Sequence, residues 1–123
     1  MHISPTVQST PDIVVAKAML RAAERLGVGN NILEKVIGVS DSTLRRIRKS
    51  GKMPADQKKM ELALLFIRLF RSLDAIAGGD AKTAGSWMHA ENSALRARPV
   101  ELIQTVTGLV DVLGYLDSRR AIV

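Results

Sequence analysis

Arg45 and Arg46 stand side by side, with Ser40, Asp41 and Ser42 before them and Lys49 and Lys52 after. A guanidinium presents a planar fork of N–H donors that fits O6 and N7 of guanine, a pairing worth about 1–3 kcal/mol of discrimination against a wrong base. The ammonium groups of Lys49, Lys52, Lys58 and Lys59 suit phosphate oxygens, which position a protein on a duplex without reading its sequence. Ser40 and Ser42 fall where a helix begins, and the free N–H groups of a helix start attract anions. The chemistry on offer is recognition of double-stranded DNA. Ser40, Asp41, Ser42, Arg45, Arg46, Lys49 and Lys52 are the candidate contacts.

Such contacts need a rigid element beneath them. Gly38 supplies a tight turn, and Val39, Leu44 and Ile47 recur at helical spacing on the face opposite the basic residues. Counting from Gly38, apolar residues occur five and one before it and one, six and nine after it: Leu33, Ile37, Val39, Leu44 and Ile47. That is the buried pattern of a helix-turn-helix, whose second helix lies in the major groove. Glu34 departs from the pattern, standing where two helices cross closely and a small residue is usual. Either the helices sit slightly farther apart, or Glu34 swings out to solvent or to Arg45. Asn31 can reach a phosphate or serve as a plain helix cap.

Composition narrows the class. The chain has 123 residues, 46% hydrophobic and 24% charged, with only one Trp, one Tyr and two Phe. This is an ordinary globular balance with little to build sheets from. The formal net charge is +6, and the excess lies wholly in residues 1–60, which hold 11 Lys/Arg against 5 Asp/Glu; residues 61–123 hold seven of each. A basic excess confined to one half attracts a polyanion. No Cys is present, which excludes disulfides and thiolate metal sites and suits a reducing compartment. There is no apolar stretch of about 18 residues to span a membrane and no secretory leader pattern. His2 and His89 have no acidic or thiol neighbours at metal spacing. No phosphate-binding glycine loop or nucleophile elbow occurs, and Gly27-Val28-Gly29 lacks the preceding strand of a dinucleotide turn. No catalytic residue, metal ligand or cofactor is expected, and the chain reads as a non-enzyme.

The periodicity predicts an all-α fold of about seven helices. Residues 1–11 form a mobile arm broken by Pro5 and Pro11. A first helix runs from Asp12 to Leu26 with Val15, Ala18, Met19, Ala22, Ala23 and Leu26 inward, and Gly27 ends it. Asn30 or Asn31 caps the second, which ends at Gly38. Ser40 or Asp41 caps the third, which stops at Ser50-Gly51. Pro54 opens a long helix to about Ile76, with an apolar set wide enough to bury more than one side. Its inward residues are Met60, Leu62, Ala63, Leu65, Phe66, Leu69, Phe70, Leu73 and Ile76, and it joins the two halves. Gly78-Gly79-Asp80 is a stop and a new cap, followed by a short helix carrying Trp87. Pro99 starts another short helix. Gly108 separates it from a last helix with Leu109, Val112, Leu113 and Leu116 inside. The expected division is an arm at 1–11, a helix-turn-helix domain at 12–60 and a second helical domain at 61–123.

The second half carries a spaced set: Trp87, Asn92, Leu95, Pro99, Leu102, Gly108 and Leu113. It resembles the C-terminal domain of the Xre/MbcA/ParS family of type II antitoxins. Members often have a Gly-rich turn ahead of the proline, where this chain has Ala94-Leu95-Arg96-Ala97-Arg98. The resemblance implies a non-catalytic antitoxin of the bacterial cytoplasm, at the nucleoid when DNA-bound. Its partners would be a RES-domain toxin that consumes NAD, operator DNA through which it represses its own operon, and a second copy in a homodimer. The C-terminal domain would bind the toxin and dimerise. The blocking element carried over to this sequence is Tyr115, Leu116, Asp117, Arg119, Arg120 and Val123. Arg119 and Arg120 also fit a basic helix end favoured by the helix dipole, and Trp87 fits either a packed core or a binding hot spot. Two further readings stay open: a stand-alone transcriptional regulator whose C-terminal half dimerises or senses a ligand, and an interaction module that no longer reads DNA.

Overall fold

The computed structural model describes residues 10–121, and the side chains of 10–120. Most of the expected arm, with His2, and the candidate contact Val123 lie outside the described residues. Seven helices follow one another: α1 (Pro11–Leu26), α2 (Asn30–Ile37), α3 (Asp41–Ser50), α4 (Gln57–Ile76), α5 (Ala81–His89), α6 (Pro99–Leu102) and α7 (Val106–Ala121). The fold is all-α, and no strand occurs among the described residues.

The stops are where left-handed backbone is needed. Gly27, Gly38 and Gly51 end α1, α2 and α3 with φ of 67, 69 and 72°, a region costly for residues with a Cβ. The starts use side-chain caps. The Ser40 hydroxyl accepts the Thr43 amide, Asp56 the Lys59 amide and Asp80 the Lys82 amide. The Lys59 amide holds the Asp56 carboxyl below its ordinary range, and the Thr83 hydroxyl does the same for Asp80.

Several local expectations change. Asn30 and Asn31 lie inside α2, whose cap is Gly29; Asn30 is occupied elsewhere, as described below. The long helix begins at Gln57, because Asp56 takes the capping role and leaves Pro54 and Ala55 outside. Ile76, expected inward, is 44% exposed at the helix end. Ala16 is fully buried where Ala18 is only partly so. Gly108 sits inside the first turn of α7 instead of before it. A Cβ there would lie 1.9 Å from the carbonyl oxygen of Leu102, so the missing side chain is what lets α6 pass against α7.

One core runs through both halves, joining Met19 and Leu26 of α1, Leu33 and Ile37 of α2, Leu44 and Ile47 of α3 to Phe66, Leu69, Met88, Ile103, Leu109 and Val112. Helix α4 packs against α1, α2, α5 and α7 and is the shared spine. The expected boundary between residues 60 and 61 therefore falls inside a continuous helix.

Candidate nucleic-acid interface and carboxy-terminal face

The turn of α2 and α3 is built from the five apolar positions read from the sequence. Leu33, Ile37, Leu44 and Ile47 are at most 2% exposed, and Val39 is packed against them at the rim. Burying them leaves Ser42, Arg45, Arg46 and Lys49 in one outward stripe, at the three- and four-residue steps that align side chains on a helix face. All four are exposed, and together they line a shallow open depression along α3. Arg46 and Lys52, with Thr43 and Ser50, line a second one that continues to Met53 and Pro54.

Each candidate has a definite local setting. Ser40 is the N-cap, and its hydroxyl also donates to Thr43 Oγ1 at 3.0 Å and lies 3.1 Å from the Ser42 hydroxyl. Asp41 pairs through Oδ2 with Arg45 Nη2, both side chains well exposed at 63% and 75%. Arg45 thus turns to Asp41 and not to Glu34, which is partly buried. Lys59 and Lys58 make surface pairs with Asp56 and Glu61 at 3.1 and 3.8 Å. Such pairs are weak enough in water to exchange for a phosphate.

One contact escapes sequence reasoning. Arg48 donates from Nε and Nη2 to Asn30 Oδ1 at 3.1 and 2.6 Å. The fork joins the start of α2 to α3 and fixes how the basic helix stands on its support. In the sequence Arg48 is one more cation in a basic run, and Asn30 is a cap candidate; only the turn geometry brings them together.

The C-terminal candidates divide between support and surface. Leu116 is 1% exposed and belongs to the core, so it holds α7 in place and presents nothing outward. Asp117 accepts from Arg68 Nη2 at 2.7 Å and from the Ser72 hydroxyl at 2.8 Å, and Arg120 Nη1 donates to Ser72 Oγ at 3.2 Å. Ser72 is fully buried. This network ties α7 to α4 and was not legible, because Arg68 and Ser72 lie 45 or more residues from Asp117. Tyr115 stacks on Trp87 with ring centroids 6.2 Å apart and planes 13° apart, and the Arg119 guanidinium lies 6.0 Å from the Tyr115 centroid. Trp87 is only partly buried. The result is a half-open ledge of Trp87, Tyr115 and exposed Arg119.

The loop before α6 explains the spaced Asn and Leu. Asn92 Oδ1 accepts the Leu95 amide at 2.9 Å, and the Asn92 carbonyl accepts the Arg96 amide at 2.7 Å. Arg96 takes a φ of 62°, doing what a glycine does at less cost. Among the described residues no cluster of His, Cys, Asp and Glu could hold a metal, and no helix is long and apolar enough to cross a membrane.

Residues 7–68 match the family model of the antitoxin Xre-like helix-turn-helix domain. Residues 72–121 match that of the antitoxin Xre/MbcA/ParS C-terminal toxin-binding domain. The two meet within α4. No curated protein matches the chain significantly.

Proposed function

Since this chain belongs to the Xre/MbcA/ParS family of type II antitoxins, we propose that it neutralises a RES-type, NAD-consuming toxin and represses its own operon. The observation that carries the DNA half is the exposed stripe of Ser42, Arg45, Arg46 and Lys49 above a buried apolar face. Arg45 and Arg46 take base edges; Lys49, Lys52 and the hydroxyls around Ser40 take phosphates. Two such helices, one from each copy of a homodimer, meet two half-sites. In this reading residues 12–60 are the DNA-binding part and 61–123 the toxin-binding and dimerising part, in the bacterial cytoplasm.

The toxin half rests on the ledge formed by Trp87, Tyr115 and Arg119. Trp, Tyr and Arg are the residue types over-represented where binding energy concentrates. Arg119 reaches acidic and carbonyl acceptor groups of the toxin, while Asp117, Arg120 and Leu116 hold α7 against α4 so that the ledge keeps its shape. The chain serves as a plug and a repressor, with no catalytic role of its own.

The test is co-expression with a RES-type toxin. Growth rescue, co-purification of the two proteins and a salt-dependent shift of the operon's promoter DNA are expected. DNA binding without any toxin partner favours the stand-alone regulator instead.

A further inference from the structure

We infer that Asp41 is a specificity residue that accepts a hydrogen bond from the N4 amine of a cytosine in the base pair next to the guanine read by Arg45. The inference rests on the DNA-binding reading and deepens it. Asp41 is the first residue of α3, and the N-terminal residues of a recognition helix are the ones that approach base edges. Its side chain is 63% exposed and pairs through Oδ2 with Arg45; among the described residues nothing donates to Oδ1.

A carboxylate at that place is repelled by every phosphate, so it lowers affinity for all sequences alike unless a DNA donor meets it. The major groove offers two such donors, adenine N6 and cytosine N4. The adenine amine sits beside the N7 acceptor, which repels a carboxylate, whereas the cytosine amine has no acceptor on its own ring edge. The pairing with Arg45 holds carboxylate and guanidinium one hydrogen bond apart. Side by side on one exposed face of α3, the two groups address stacked neighbours: guanine for Arg45, cytosine for Asp41. The simpler role of Asp41, a negative charge at a helix start, makes no prediction about base preference.

The experiment selects binding sites from a randomised duplex library with the full chain and with Asp41→Asn and Asp41→Ala, each checked for folding by circular dichroism. Single base-pair variants of the selected duplex are then titrated. The unmodified chain is expected to require a guanine with a neighbouring cytosine. Asp41→Ala loses the cytosine preference by about tenfold and binds mixed-sequence DNA more tightly. Asp41→Asn moves that position toward adenine, because an amide offers donor and acceptor together. Identical selected sites and relative affinities for all three proteins overturn the role of Asp41 and leave the DNA reading standing. Enrichment of no sequence by the unmodified chain overturns both.

Discussion

Arg48 and Arg119 illustrate two different uses of one side chain. Arg48 spends its fork on Asn30, so its contribution to DNA binding is geometric. Arg48→Ala is expected to weaken binding of a selected duplex by roughly fivefold or more, in keeping with the loss of two hydrogen bonds at about 0.5–1.5 kcal/mol each. Arg48→Lys, which keeps the charge but not the fork, is expected to do the same; full rescue by Lys, read by titration, would mark Arg48 as a phosphate contact instead. Arg119 is exposed above Tyr115. Arg119→Ala should leave the thermal midpoint nearly unchanged and weaken toxin binding about tenfold or more, as a binding hot spot does. Calorimetry against the purified toxin measures it, and undiminished affinity would remove the ledge from the interface. The outward stripe of α3 is legible in the sequence because Leu44 and Ile47 fix which side of the helix is free. The Asp117 network was not readable, because hydrogen bonds between distant polar residues leave no periodic trace.

At the scale of elements, the helix ends carry the fold's most specific demands. Gly108 lets the carbonyl of Leu102 approach to a distance no Cβ tolerates. Gly108→Ala is expected to cost about 2 kcal/mol or more, the scale of overpacking a closed contact, and chemical denaturation would show it. The caps of α4 and α5 add a pH dependence. The folded-state pKa of Asp56 and Asp80 is lowered from 3.8, chiefly by the Lys59 amide and the Thr83 hydroxyl respectively. A lowered folded value means stabilisation that is fully present above the unfolded-chain pKa and lost as pH falls through the folded pKa. Thermal midpoints should therefore show an advantage over the Asp56→Asn, Asp80→Asn double variant at neutral pH that shrinks below about pH 4. An advantage unchanged in acid would contradict it. Helix order and most stops were legible from apolar spacing and glycines. The start of α4 was not: Pro54 and Asp56 both suit a helix start, and only the packed chain selects the carboxylate cap.

The whole molecule joins two chemistries on one spine. The basic excess lies in residues 1–60 and the balance of charges in 61–123, yet a single core and α4 run through both. Composition announced the division of charge; the continuity of the core needed the structure, because α4 buries residues toward α1, α2, α5 and α7 at once. A shared core makes the halves mechanically dependent, while exposed residues on each remain chemically independent. The most direct measurement takes the Arg45→Ala, Arg46→Ala double variant, both sites being exposed on α3, and assays promoter binding and toxin neutralisation on the same preparation. Promoter binding is expected to fall roughly thirtyfold or more, about two bidentate base contacts at 1–3 kcal/mol each, with neutralisation unchanged. Retained promoter binding, or joint loss of both activities by a folded protein, would contradict an antitoxin whose basic helix reads DNA apart from the face that grips its toxin.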